Sequence, residues 1–382
     1  MIEFLGNLFG NVGLLFADNG WKMLVMWLIG GILIYLAIAK DMEPSLMLPL
    51  GFGAILVNLP LSGAIDQGAE HGVLDILYKA GIANELFPLL LFIGIGAMID
   101  FGPLLSNPKL MVFGAASQFG IFFTFVIASI AGFNVTDAAS ISIIGAADGP
   151  TSIAVGQAFG TQYIGAIMVA AYSYMALVPI IQPPVIKLLT TKKERLIRMP
   201  YIEKSVSKLT RIMFPIVITA IAGLVSPKSV ALVGFLMFGN LIRECGVLNS
   251  LSNSAQNELA NLITILLGIS IAPSLQANKF VNLDTLLILG LGLVAFVFDT
   301  VGGVLLAKFF NIFLKNKINP MIGGTGISAF PMSARVVHKM GLKEDPNNHL
   351  LMHTIGVNVS GQISSVIAGG MILALVPKLF GN

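Results

Sequence analysis

ISIIGAADGPTSIAVGQ, residues 141–157, is a hydrophobic stretch with a polar break at its centre. Apolar runs at 141–144 and 153–155 enclose Asp148, Gly149, Pro150, Thr151 and Ser152. Proline removes one amide donor and glycine loosens a helix, so backbone carbonyls are freed beside a carboxylate and two hydroxyls. Hard cations want such a collection of oxygens. A carboxylate at bilayer depth is expensive, and therefore usually faces a cavity, a partner or an ion. The plain alternative is an aspartate capping a broken helix at the water boundary. The apolar residues on either side of the break argue against it.

Working outward, the rest of the chain is equally apolar. Its 382 residues are 56% hydrophobic and only 11% charged, too few charges to keep a soluble surface wet. A helix needs about 20 apolar residues to cross the hydrocarbon core. Runs near 21–39, 86–98, 110–130, 164–189, 212–225, 230–242, 286–308 and 350–376 qualify or nearly do. These predict an all-α polytopic membrane protein of about eight to eleven passes, counting re-entrant and discontinuous segments. Alternation of period two is absent, which excludes a β-barrel.

A second polar break, MIGGTGISAFPMSARVV at 321–337, follows Asn319-Pro320. Asn107-Pro108 precedes the first break, and Asp100-Phe-Gly102 faintly echoes Asp299-Thr-Val-Gly302. Interrupted hydrophobic segments at corresponding places point to an internal, inverted repeat with a midplane site. The expected halves are 20–190 and 209–378, joined by a loop at 187–211 within a single membrane domain. Arg335 closes the second break, and a guanidinium there can grip a carboxylate through two hydrogen bonds; a snorkelling arginine at a helix end is the simpler account. Asn319, Ser328 and Asn358 add neutral oxygens, and Asn358 lies in the polar stripe HTIGVNVSGQISS, 353–365. Such stripes either bind helices together or line a pathway. Tyr172 and Tyr174 stand well inside a hydrophobic run, where a hydroxyl needs a partner and can serve an ion or a proton.

Net charge is +3. Lys187, Lys192, Lys193, Arg195, Arg198, Lys204, Lys208 and Arg211 crowd the central loop, which the positive-inside rule places in the cytoplasm. An acidic docking partner is the rival explanation of that cluster. Cys245 stands alone, so no internal disulfide forms. The first twenty residues lack a basic start and a cleavage site, and read as an interfacial segment rather than a signal peptide. His349 and His353, spaced i, i+4 behind Asp345-Pro346-Asn347-Asn348, read as a helix start at the membrane surface. No P-loop, paired-cysteine zinc site or hydrolase elbow occurs, which argues against an ATP-driven pump.

Four long motifs, in order, carry a resemblance over essentially the whole chain. They are GAADGPTSI (145–153), GNLIRECGVLNSLSNSAQNELANLITILLG (239–268), NPMIGGTGISAFPMSARVV (319–337) and DPNNHLLMHTIGVNVSGQISSVIAGG (345–370). The chain resembles the β subunits of the sodium-pumping, biotin-dependent decarboxylases. The resemblance implies a membrane subunit that decarboxylates carboxybiotin and exports sodium ions. Position by position it implies functional roles for Asp148, Tyr174, Asn319, Gly323, Ser328, Arg335 and Asn358. Asp148, Asn319, Asn358, Ser328 and Tyr174 are then the expected sodium ligands, with Tyr174 and Asp148 also candidates in catalysis. Arg335, with Ser328 and Gly323, is the expected carboxybiotin contact. The implied partners are a biotin carrier and carboxyltransferase subunit, a small membrane subunit, the lipid bilayer and further copies of the chain, and no nucleic acid. The implied location is a bacterial or archaeal inner membrane. A stand-alone sodium-coupled carboxylate or sodium/proton transporter, using the same oxygens and the same arginine, is the rival.

Overall fold

A computed structural model describes residues 13–16, 20–68, 70–200 and 205–380. Lys204 and most of the amino-terminal segment lie outside the described residues. In chain order the principal helices are α1 (Gly20–Lys40), α2 (Pro44–Val57), α3 (Leu86–Met98), α4 (Pro108–Ile130), α5 (Val135–Ser142), α6 (Gly149–Ala158) and α7 (Ile164–Leu189). After the central loop come α8 (Lys208–Val225), α9 (Val230–Glu244), α10 (Asn249–Leu275), α11 (Leu283–Phe313), α12 (Met332–Glu344) and α13 (Leu351–Phe380). Among the described residues the only extended pairing is one bridge, Gln67 to Glu70. Helices dominate because lipid offers no partner for a free amide, so backbone groups must bond within their own segment.

Five of these, α1, α4, α10, α11 and α13, are long and apolar enough to cross a membrane. Two bent pairs also qualify: Val73–Ile82 with α3, bent by 60°, and the two parts of α7, bent by 68° between Met175 and Leu177. Pro179 explains the bend in α7, since it lacks the N–H that would bond the Met175 carbonyl four residues back. Two helices were not foreseen from hydropathy. Pro44–Val57 is short and carries Pro49, Gly51 and Gly53; the first turns of α10 hide behind Asn249, Asn253, Gln256 and Glu258.

Ion pairs gather one set of helix ends. Arg195 meets Glu344 at 2.8 Å, Arg198 meets Asp345 at 2.6 Å, Lys308 meets Glu194 at 3.3 Å, and Arg211 lies 3.6 Å from both Asp100 and Glu244. This is the basic face that the positive-inside rule expects in the cytoplasm. The opposite face is tied by Thr161 to Asp137 (2.5 Å), Tyr163 to Asp284 (2.8 Å) and Gln157 to Tyr78 (3.0 Å).

These ties define two hairpins. The first runs down α5, through a 3-10 turn at Ile143–Ala146, and back along α6; both its ends sit away from the basic face, where Thr161 bonds Asp137. The second enters from the basic face at Asn319, passes the 3-10 turn Pro320–Thr325, and returns along α12 to Glu344. Their tips touch, with the Ser328 amide donating to the Ala146 carbonyl at 2.9 Å. The Asp100/Asp299 echo does not survive. Asp100 pairs with Arg211 beside a loop, whereas Asp299 is fully buried inside α11 and accepts from the Ile121 amide at 3.2 Å. Asn107-Pro108 likewise opens a crossing helix, while Asn319-Pro320 opens a hairpin.

Candidate functional site

The first tip is shaped by its backbone. Ala147 adopts the left-handed conformation (φ 50°), ending the 3-10 turn and reversing the chain. Asp148 follows in an extended conformation and caps α6. Its Oδ1 accepts from the Thr151 amide (3.3 Å), and its Oδ2 from the hydroxyls of Thr151 (2.7 Å) and Ser365 (2.7 Å). Asp148 is thus a helix cap, but the cap is buried at the hairpin tip with 2% of its surface exposed rather than set in open water.

The second tip and α13 complete the cluster. Ser328 Oγ donates to Ser365 Oγ at 2.5 Å and also lies 3.3 Å from the Gly361 carbonyl. Asn358 donates to the carbonyls of Thr325 (3.1 Å) and Ile327 (2.7 Å), while its Oδ1 is buried with no donor. Residues 358, 361 and 365 share one face of α13 by helical spacing, and that face grips the backbone of 325–328. Asp148 and Ser328 are therefore drawn to one junction, with Ser365 as the link between the hairpins, while Asn358, two turns earlier on α13, holds the backbone of the second tip. Ser365 was missed from sequence; its place seven residues after Asn358 was the available signal.

The other expected residues lie apart from this junction. Asn319 is fully buried beneath the central loop, donating to the carbonyls of Arg195 (2.9 Å) and Ile197 (3.0 Å) and accepting from the Met321 amide (3.1 Å). Gly323 packs backbone to backbone on α11, where a Cβ would stand 2.1 Å from the Gly303 carbonyl oxygen. The Tyr174 hydroxyl donates to the Leu289 carbonyl. Its neighbour Tyr172 is the tyrosine that shares a cavity with Asp148, pressed against Gly149 so closely that a Cβ there would stand 2.4 Å from its hydroxyl.

Two cavities flank the second tip. One, of about 300 Å³, is lined by Asp148, Tyr172, Ser328, Gln362, Glu43 and Thr264. The other, of about 350 Å³, is lined by Arg335, Lys187, Lys339, Lys343 and Glu344. Arg335 is exposed and makes no ion pair among the described residues. The tip separates the two, since Phe330 and Pro331 line the first and Met332 the second. At the loop, the hydrogen bond from Arg198 holds the Asp345 carboxyl below its usual range. His353 sits beside the Met199 carbonyl (3.2 Å), and among the described residues no three His, Cys, Asp or Glu side chains gather to hold a metal. As the spacing predicted, the histidine pair straddles a helix start, at Leu351.

Broken segments meeting at depth around a carboxylate and hydroxyls define a polytopic membrane protein of the ion-translocating class. Residues 22–376 match the family described as Na+-transporting oxaloacetate decarboxylase beta subunit. The chain is 48% identical to a methylmalonyl-CoA decarboxylase subunit beta of Propionigenium modestum, over 92% of this chain and 94% of that one. It is 43% identical to an oxaloacetate decarboxylase beta chain of Klebsiella pneumoniae, over 98% and 99% respectively. To a glutaconyl-CoA decarboxylase subunit beta of Acidaminococcus fermentans it is 47% identical, over 93% and 94%. The chain belongs to this family, the beta subunits of the sodium-transporting carboxylic acid decarboxylases. A stand-alone transporter is not favoured by these relatives.

Proposed function

We propose that this chain decarboxylates carboxybiotin and uses that step to move sodium ions out of the cell, from an inner membrane of a bacterium or archaeon. The carboxybiotin is presented by a biotin carrier and carboxyltransferase subunit, within a complex that also holds a small membrane subunit and further copies of this chain. The reading is carried by one observation: the second hairpin bears Ser328 at the buried Asp148 cluster and, seven residues on, Arg335 in the basic cavity. One short segment thus touches both an oxygen site and an anion site.

Asp148, Thr151, Ser328, Ser365 and the Oδ1 of Asn358 are the proposed sodium ligands, and Arg335 is the proposed counter-ion for the carbamate carboxylate. Lys187, Lys339 and Lys343 around Arg335 favour an anionic substrate arriving from the cytoplasm. In the reaction the bond from biotin nitrogen to carboxyl carbon breaks, carbon dioxide leaves, and the nitrogen takes up one proton. Shielding from bulk water favours that breakdown, and a positioned acid would assist it. Asn319 and Gly323 are assigned the positioning of the second hairpin, which fits their contacts. The two halves, α1–α7 and α8–α13, are proposed to be inverted repeats, each contributing one hairpin from its own face. Coupling follows if sodium and carboxybiotin both favour the same inward-facing arrangement, and loss of carbon dioxide releases it.

The test is sodium-dependent decarboxylation of free carboxybiotin by proteoliposomes. Arg335→Ala should lower the rate per unit carboxybiotin about 10- to 100-fold, the loss of one charged hydrogen-bonded contact. A rate equal to the unmodified protein would remove Arg335 from the site.

A further inference from the structure

Among the described residues, three amide side chains bond the backbone carbonyls of 324–327 at the second tip. Asn358 of α13 donates to Thr325 and Ile327, and Gln118 of α4 donates to Gly326 at 3.4 Å. Gln182 of α7 donates to Gly324 at 2.6 Å. The Oε1 of Gln118 and the Oδ1 of Asn358 have no donor, whereas Gln182 Oε1 accepts the Ser333 hydroxyl at 3.0 Å. Gln182 and Ser333 are both fully buried. One side chain thus fastens the 3-10 limb of the second hairpin to the first turn of α12. The loop closed in this way carries Ser328, and Arg335 follows two residues beyond the fastening.

Gln182 stands where α7 is least able to hold itself straight. Pro179, Pro183 and Pro184 give no N–H, so the carbonyls four residues before them lose their helical donors. Pro179, Pro183 and Lys187, spaced i, i+4, i+8, line the Arg335 cavity. Gln182 and Ile186, also four apart, meet Gly324, where a Cβ would stand 3.0 Å from Ile186 Cδ1. This part of α7 therefore forms a wall of the anion cavity and grips the tip beside the oxygen cluster. Burying an amide is costly unless both its ends are satisfied, and here both are satisfied by the segment that joins the two sites. We propose that Gln182 is a positioning residue that makes the Ser328 limb, α12 and residues 177–189 move as one body, so that carboxybiotin at Arg335 is felt at Asp148. This role rests on the reading of the second hairpin as the link between sodium and carboxybiotin. Without the fastening, the Gly324 limb and α12 shift independently, and carboxybiotin breaks down without a sodium ion being carried.

The test is the number of sodium ions taken up per carbon dioxide released, measured with radiolabelled sodium and carboxybiotin in vesicles holding the whole complex. Gln182→Met keeps the length of the side chain and removes both hydrogen bonds. It should retain decarboxylation while the sodium to carbon dioxide ratio falls about tenfold, the scale set by one to two buried hydrogen bonds. Ser333→Ala leaves the bond to Gly324 in place and should lower the ratio about threefold, the scale of one neutral hydrogen bond. Their combination should do no more than Gln182→Met alone, because both act on one fastening. A residue that only stabilised the fold would lower uptake and release in proportion and leave the ratio as it was. Should Gln182→Met fail to assemble, Ser333→Ala decides by itself. The parent's ratio in an assembled variant, or loss of both activities together, would overturn the positioning role while leaving Asp148 and Arg335 in place. If Asp148→Asn transports sodium normally, it is instead the underlying reading that fails.

Discussion

Replacing Ser365 by alanine tests the junction with a single atom. The Ser365 hydroxyl donates to Asp148 Oδ2 at 2.7 Å and receives Ser328 Oγ at 2.5 Å. It also has a second acceptor within reach, the Gln362 carbonyl at 3.0 Å. The hydroxyl can therefore turn its proton to Gln362 and offer a lone pair to a cation arriving at Asp148. Alanine removes that oxygen and leaves the carboxylate with the Thr151 hydroxyl and amide alone. Ser328 keeps the Gly361 carbonyl as a partner, so the damage stays at Asp148. A hydrogen bond or ligand contact to a charged group is worth about 1.5–3 kcal/mol. At about 1.4 kcal/mol per factor of ten, half-saturating sodium should rise about 10- to 100-fold. The assay is decarboxylation by the reconstituted complex over a sodium titration, with assembly checked by size-exclusion chromatography. A normally assembled variant with the parent's sodium requirement would refute the linking role of Ser365.

Asn319→Ala should act on the central loop, because the carbonyls of Arg195 and Ile197 lose a shared donor. The expected loss is about 1–3 kcal/mol of stability, read as a lower Tm in detergent and faster proteolysis between the loop and the second hairpin; an unchanged profile would contradict it. The Asp345 carboxyl is held below its usual range by Arg198, so the sign of its pH effect is set. The stabilisation is complete above the unfolded value of about 4 and is lost only as pH falls through the lower folded value. Hydrogen exchange across 195–199 should thus be flat from pH 8 to pH 5 once intrinsic exchange rates are divided out. An Asp345-dependent loosening within that range would be contrary to this account.

Much of the architecture was legible because lipid imposes simple rules on a chain. Long apolar runs gave four of the five crossing helices, α10 being the exception, and the lysines and arginines of the central loop marked the end of the molecule where Arg195, Arg198 and Lys308 form ion pairs. The polar break around Asp148 was readable as a broken helix, since proline and glycine act locally. Hidden from the linear sequence was which groups converge. Ser365 lies 217 residues from Asp148, and helical spacing tells its face of α13 but not what that face meets. Tyr172 and Tyr174 are two residues apart, about 200° around a helix, so one faces the cavity and the other faces α11. The family resemblance pointed to Tyr174, while the cavity holds Tyr172. Asn319 shows a different limit, because a buried amide that organises a loop and an amide that binds an ion look alike in a motif.

The account depends on sodium visiting the carboxylate of Asp148, and the most direct measurement is sodium uptake by vesicles holding the whole complex. With Asp148→Asn, assembled and presented with carboxybiotin, radiolabelled sodium should not accumulate above the level of vesicles without the complex. Accumulation at the unmodified rate would show that the ion takes another route.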